Sequence, residues 1–544
     1  MAGESMKPVQ SSQAVFKGAV ILTLAALITK ILSAIYRIPF QNIVGDIGFY
    51  IYQQVYPFYG IAVVLSTTGF PVVISKLYTE ELKRGNGETS RFLLFISFIF
   101  LQLFGIICFL ILYVGSDKIA LWMNDSKLTI LIKVVSIVFL TFPIVSVLRG
   151  YFQGIGNMVP TALSQVGEQT VRIVTILSLS FLFVEKGFSL YLVGGGAMFG
   201  SITGSIISGI ILFMFLWIRK EWKGVIPKEK GLFSCLIEAK PILKALILQG
   251  LMVCLSGMLL IFIQLADSLN LYSLLTASGT EENAAKSLKG IFDRGQPLIQ
   301  LGTVAATSMS LAIVPLITRE RLTANAIGLH EKIKLAIKVS IVVGTGASFG
   351  LWAIIRPANI MLFENDLGSD ILGALGFVIL FTSIILTVIA VMQGLGSFVF
   401  PAITVVCVFP VKYMLNMVFV PFMGTMGAAL SSLIVLAMLG MVLLLKLQKM
   451  MEAPLLPLRL LTKVTAAATV MVVLLKGVAY VTGGIEIGRT GAAIQALSAV
   501  FCGGIIYLLI IIRGKVFTAN ELVLFPFGSK LIHLMSRKEK RKQW

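Results

Sequence analysis

The sequence predicts an all-α polytopic membrane protein with about fourteen transmembrane helices. Of its 544 residues, 57% are hydrophobic and only 13% charged, and the mean hydropathy is +0.95. Soluble domains carry about a quarter of charged residues. Apolar runs of ~20 residues, the length that spans a bilayer core, recur from one end to the other. Basic residues gather in alternate loops between these runs. A β-barrel would need alternation in segments of about 10 residues, which this sequence lacks.

The first run, 17–40, carries Lys30 and Arg37 and is too long and too charged for a cleavable signal, so it reads as a retained first span. The second, 49–76, contains Pro57, Gly69 and Pro71; proline within a span frees a carbonyl and permits bending. Spans at 91–114, 128–149, 157–183 and 190–218 complete a first set of six. A second set lies at 241–267, 293–318, 333–355, 370–394, 398–420 and 424–447, and spans at 460–482 and 489–513 follow. The expected organisation is a cytoplasmic segment 1–16, an N-lobe 17–218, a basic linker 219–240 and a C-lobe 241–448. A helix pair in 449–513 and a basic tail 514–544 complete it.

The formal net charge is +20. Lys76, Lys83, Arg84 and Arg91 share one loop, Arg219, Lys220, Lys223, Lys228 and Lys230 another, and the tail ends in Arg537, Lys538, Lys540, Arg541 and Lys542. The intervening loops are short and lean acidic, with Asp46, Asp117, Asp125, Glu281, Glu282 and Glu364. This is the positive-inside pattern, which puts both termini in the cytoplasm and makes the charge a report on orientation, with no nucleic-acid partner implied. Five cysteines form no CxxC pattern, and with only His330 and His533 a histidine metal site is not expected. No GxxxxGK[ST] motif occurs, no Ser/His/Asp set is available and no loop is long enough for a catalytic domain. The expectation is a non-enzyme without cofactor or metal, leaving the membrane potential, an ion gradient or product removal as the energy source.

An internal repeat organises the chain. YFQGIGNMVPTA (151–162) matches VMQGLGSFVFPA (391–402) at a separation of 240. The same offset aligns Tyr56-Pro57 with Gln296-Pro297, and nearly the same offset aligns Phe70-Pro71 with Val314-Pro315. Each QGxG falls between the fourth and fifth helix of a six-helix unit, where the chain reverses at once and glycine fits. Both loops are on the inside by the charge rule, so the halves are parallel repeats.

Ionisable residues at bilayer depth are expensive unless they face a partner or a polar cavity. Lys30 sits near the middle of the first span, where a cavity-facing position is favoured. Arg37 lies nearer its outer end, where snorkelling to the interface and facing the cavity are both open. Glu168 and Arg172 are spaced i, i+4 in the fifth span, the geometry of an intrahelical ion pair. FDRGQP opens the eighth span with Asp293 and Arg294 on different faces of a helix, followed by Pro297. Gln53 and Pro57 mark the second span. Asp267, Lys133, Lys412 and Lys476 are singletons, most of them explained by interfacial placement.

The stretches ILSAIYRIPFQNIVGDIGFYIYQ, GFPVVISKL and FDRGQPLIQLGTVAATS, with the paired QGxG loops, resemble the polysaccharide-transporter branch of the MOP exporter superfamily. The likeness covers essentially the full chain and is strongest to the stage V sporulation protein B group, which is related to the lipid II flippases. The resemblance implies two lobes forming a V plus two C-terminal helices, alternating access, and residence in the bacterial plasma membrane. It also implies transport of an undecaprenyl-pyrophosphate-linked saccharide from inner to outer leaflet, with membrane lipids and envelope-synthesis proteins as neighbours. By the same resemblance Lys30, Arg37, Asp293 and Arg294 contact the headgroup, and the last two helices guide the polyprenyl tail. Gln53, Pro57, Glu168, Arg172 and Pro297 become cavity or hinge candidates. The flippases carry a further arginine after the proline of the second helix, where this chain has Gly60. Alternatives are a drug or cation antiporter of the same fold, which would need an intramembrane carboxylate; a membrane glycosyltransferase using Asp46; and a non-transporting scaffold of envelope assembly.

Overall fold

The computed structural model of the chain describes residues 12–85, 87–221, 232–304, 317, 326–452, 455, 458–482 and 488–522. Among these residues the secondary structure is helical, and twelve helices are long and apolar enough to cross a membrane. Helices prevail because a bilayer core offers no water to the backbone, so each N–H and C=O must be satisfied within its own segment. Parts of the eighth span, the linker and the tail lie outside the described residues. The chain divides into two compact units, Met1–Ser273 with Phe398–Phe409, and Leu274–Ser397 with Pro410–Trp544.

The first unit begins with α1 (Ser12–Ile35) and α2 (Arg37–Val64), joined through Tyr36. The first and second spans are one long helical path, Val20–Lys83, broken at Gly45, whose φ of 68° only glycine adopts easily. Asp46 follows this break and accepts a hydrogen bond from Gln41 Nε2 at 2.9 Å. After α2 come a π-helical turn, Leu65–Gly69, and α3 (Phe70–Lys83). The π turn leaves carbonyls without their usual partners. Ser146 Oγ donates to the carbonyl of Leu65 at 3.2 Å and Arg149 Nη1 to that of Ser66 at 3.1 Å, so the distortion is satisfied from outside the helix.

These two donors belong to the fourth span, which follows α4 (Gly87–Val114) and comprises α5 (Thr129–Ser136) and α6 (Val138–Gly154). Then come α7 (Met158–Glu185) and α8 (Leu190–Ile218). Glycines bring α8 against the backbone of α7. A Cβ at Gly204 would lie 2.7 Å from the carbonyl oxygen of Glu168, and one at Gly200 would lie 3.0 Å from that of Arg172. Small residues permit this closeness in membrane helices, and here they fix the part of α7 that carries both charges. The unit's stretch Met1–Ser273 ends within α9 (Leu259–Ala277), which runs antiparallel to α2: Tyr50 meets Tyr272, Gln54 Nε2 donates to the Ser268 carbonyl at 3.0 Å, and Gly60 faces Ile261.

The second unit contains α10 (Glu282–Asp293), α11 (Ala326–Phe363), α12 (Ser369–Gly376) and α13 (Val378–Gly394). The path Val399–Met451, α14, breaks at Gly424 (φ 55°) into the eleventh and twelfth spans. Finally α15 (Leu458–Thr482) and α16 (Arg489–Arg513) dock on α11. Tyr507 donates to the Val342 carbonyl at 2.7 Å, and Lys476 lies 3.6 Å from the centroid of the Trp352 ring. Arg489 pairs with Glu364, while beyond α16 Glu521 pairs with Lys338 at 2.7 Å.

The repeat is written into the backbone. The break between α5 and α6 at Ile137 recurs 240 residues later between α12 and α13 at Phe377. Gly156 (φ 77°) donates to the Gln153 carbonyl and Asn157 to that of Phe152, both at 2.9 Å. Gly396 (φ 83°) donates to Gln393 at 2.9 Å and Ser397 to Met392 at 2.8 Å. Both helices therefore end in the same glycine-terminated cap, which accounts for the shared QGxG.

Candidate functional site

Arg37, Arg149, Arg172 and Arg294 are among the largest fully buried side chains of the described protein. A buried guanidinium is costly unless its donors and its charge are met. The four differ in how that is done.

Arg149, on α6, is fully compensated. Its Nη2 lies 2.8 Å from Glu168 Oε2, its Nε donates to Ser164 Oγ at 3.0 Å, and further donors reach Ser208 Oγ and the Ser66 carbonyl. The i, i+4 spacing pointed to an ion pair between Glu168 and Arg172, and the structure corrects this. Glu168 turns to Arg149 because α6 delivers a guanidinium deep in the same layer.

Arg172 is held by tyrosines. Its Nη2 donates to Tyr52 Oη at 2.8 Å and Tyr36 Oη at 3.0 Å, and those hydroxyls are 2.8 Å apart. The guanidinium carbon lies 3.9 Å from the Tyr59 ring centroid and 5.7 Å from that of Tyr56. Arg37 sits 4.3 Å from the same Tyr56 ring and is 2% exposed. It is thus buried under an aromatic ring and does not snorkel. Such cation–π contacts contribute about 0.5–2 kcal/mol each, well short of an ion pair's compensation in a dry site. Among the described residues, neither Arg37 nor Arg172 has a carboxylate within ion-pairing distance. Both Nε atoms are buried with no acceptor.

Lys30 lies two turns before Arg37 and is half-buried, and Gln53 is buried with an unpartnered Oε1. Pro57 stands inside α2 with no N–H for the carbonyl of Gln53. In the second unit Asp293 pairs with Lys289 at 2.6 Å, while Arg294 donates to Asn365 Oδ1 at 2.7 Å and lies 5.2 Å from the Phe363 ring. The two neighbours thus serve different faces, as their adjacency requires. Pro297 is buried. The singletons divide. Lys133 is half-buried and Lys476 exposed, but Asp267 and Lys412 are buried, and Lys412 Nζ donates to Asn416 Oδ1 at 2.8 Å and the Ala428 carbonyl at 2.6 Å.

Sequence reasoning missed Arg149, Tyr36, Tyr59 and Lys289. Tyr52, Tyr56 and Tyr59 at i, i+4, i+7 form one face of α2, a signal that was available. Arg149 closes its apolar run and there looks like an interfacial residue.

The polysaccharide biosynthesis protein family matches residues 15–320. The uncharacterised membrane protein YabM of Bacillus subtilis is 45% identical over 526 residues, covering 96% of this chain and 97% of its own. The lipid II flippase MurJ of the same organism is 26% identical, covering 76% of this chain and 78% of its own. Its stage V sporulation protein B is 31% identical over 39% and 41%. A solved structure of lipid II flippase MurJ in an inward closed conformation superposes with a TM-score of 0.65 at 15% identity, over 90% of this chain and 98% of that one.

Proposed function

The chain belongs to the polysaccharide biosynthesis protein family, a multi-pass membrane protein of the MOP superfamily fold, and from that premise we propose that it is a flippase. Its substrate on this reading is an undecaprenyl-pyrophosphate-linked envelope saccharide, lipid II or a related precursor. It carries this from the inner to the outer leaflet of the bacterial plasma membrane by alternating access. The kinship to a lipid II flippase makes the chain a transporter, not an enzyme.

The single observation that carries the reading is the pair of buried arginines without carboxylate partners. Uncompensated charge inside a membrane protein is retained where function needs it. The sign fits an anionic headgroup and opposes the cation-antiporter alternative, which would need a free carboxylate in that place. Lys30 adds a third cation on the same helical path as Arg37; within the second unit, Asp293 and Arg294 are the residues proposed to meet the headgroup. Gln53, Pro57 and Pro297 are the proposed hinge positions. An apolar cleft lined by Ile354, Leu475, Val478 and Cys502 on α11, α15 and α16 suits a polyprenyl tail. Without an ATP motif, a cytosol-negative potential helps the anion outward by about 2.3 kcal/mol per charge per 100 mV. Envelope-synthesis enzymes are the natural partners on either side of the membrane.

Expression of the chain in cells depleted of their own lipid II flippase tests the function: growth and outer-leaflet lipid II return if the reading holds, and lysis continues if it does not. Orientation is tested separately. In a cysteine-free background, Asn157→Cys and Ser397→Cys are expected to react with impermeant maleimide only from the cytoplasmic side. These positions spare the left-handed glycines. Labelling of one from outside would make the repeat inverted.

A further inference from the structure

The break in α14 holds a cation of the protein's own. Lys412 and Asn416 lie one turn apart on the eleventh span, and Ala428 lies about one turn past Gly424 on the twelfth. The chain folds back this tightly because Gly427 has no side chain: a Cβ there would lie 2.4 Å from the Phe419 carbonyl oxygen. In the angle between the two arms the Lys412 ammonium donates to Asn416 Oδ1 at 2.8 Å and to the Ala428 carbonyl at 2.6 Å. Lys412, Asn416 and Ala428 are all 0% exposed. We propose that these oxygens form a monovalent-cation site and that Lys412 is its covalently tethered occupant, holding the angle between the two spans without a dissolved ion. This goes beyond the flippase reading and does not depend on it.

The donor chemistry is that of a cation site. A side-chain amide and a carbonyl beside a helix break are neutral oxygens, and broken membrane helices present such carbonyls to Na+ in ion-coupled transporters. There they stand in for the ion's hydration shell. A lysine ammonium makes the same demand, being a compact single charge with three donors that seek oxygen. The carbonyl is also held in aim. Ser432 Oγ donates to the Ala428 carbonyl at 3.0 Å, and Ser431 Oγ donates to that of Gly427 at 2.8 Å. A lysine placed only for topology would carry its ammonium to the membrane surface, whereas this one turns inward.

The internal repeat marks the same position. Lys412 stands 240 residues after Arg172, the separation of the two QGxG loops, so each repeat has a buried cation at one place in its fifth helix. The halves use it differently. Arg172 meets the hydroxyls of Tyr36 and Tyr52, while Lys412 ties together the two arms of its own hairpin. A tethered ammonium cannot leave, so occupancy of this site does not follow the sodium or potassium concentration.

The test is the thermal-unfolding midpoint of the purified full-length protein in detergent, in sodium, potassium, methylammonium or choline chloride at equal ionic strength. Choline is the control, since it is bulky and has no N–H to donate. The wild type is expected to melt at one temperature in every salt. Lys412→Ala should melt several degrees lower in choline and regain at least half of that loss, saturably, in methylammonium or sodium, because a ligand bound only by the folded state raises the midpoint. Adding Asn416→Ala should abolish this rescue. An equal loss for Lys412→Ala in every salt would make Lys412 a packing residue and overturn the proposal. So would a wild type that gains as much from sodium as the variant does. Should Lys412→Ala not fold in choline, its recovery as monodisperse protein in methylammonium is the same supporting result. Lys412→Met keeps the stem and removes the charge; if it melts with the wild type in choline, no cation is needed at the break and the proposal falls.

Discussion

Outward flipping of a lipid-linked precursor falls at least ~10-fold when Lys30 and Arg37 are both replaced by Gln, with the amount of inserted protein unchanged. Glutamine is polar and fits the surroundings of a half-buried Lys30 and a buried Arg37, so the fold tolerates the change. The lost term is Coulombic. Two unit charges 4 Å apart at an effective dielectric of about 20 interact by ~4 kcal/mol, and ~1.4 kcal/mol already gives a tenfold effect. Lys30→Arg and Arg37→Lys should keep partial function, since charge is preserved and only donor geometry changes. Lys30→Glu should be worst, because it sets an anion against the headgroup. Initial rates in vesicles, normalised to protein, check this series. Wild-type flipping by the double variant would reduce both residues to features of topology or packing.

The largest effect on stability is expected at Arg149. Arg149→Gln removes the partner of the buried Glu168 carboxylate and the donors to Ser164, Ser208 and the Ser66 carbonyl of the π turn. Breaking one side of a buried pair costs about 3–5 kcal/mol, because the remaining charge is left uncompensated. The midpoint of thermal unfolding in detergent should drop clearly. Adding Glu168→Gln should restore more than half of the loss, since two neutral groups replace one stranded charge. An unchanged midpoint in Arg149→Gln would mean that the pair contributes nothing net.

The fold was legible because a bilayer leaves so few options: apolar runs of spanning length become helices, and their number and order follow the sequence. The repeat was legible for a similar reason. Gly156 and Gly396 occupy left-handed positions in matching caps, a demand that leaves its mark on residue identity. The two breaks that turn one span into the next fall where the sequence divides the spans, between 40 and 49 and between 420 and 424, but the glycines that make them, Gly45 and Gly424, were not singled out, because a lone glycine in a membrane helix is common. Site residues were legible only as charged positions. Spacing along α7 sees Arg172 as the neighbour of Glu168, but the choice of partner belongs to α6, a different helix. Arg149 closes the run 128–149 and there resembles an interfacial cation. Lys412 looked like an isolated charge, yet its partners Asn416 and Ala428 lie on both sides of the break at Gly424, which periodicity does not bridge.

The central claim is tested most directly by reconstituting the purified protein in vesicles with a fluorescent undecaprenyl-pyrophosphate-linked saccharide on one leaflet and an imposed potential. The account predicts protein-dependent movement to the opposite leaflet, faster when the potential drives the anion in that direction, and abolished in the Arg37→Gln, Arg172→Gln double variant. A protein that leaves the precursor in place under either sign of potential while carrying organic cations would contradict it.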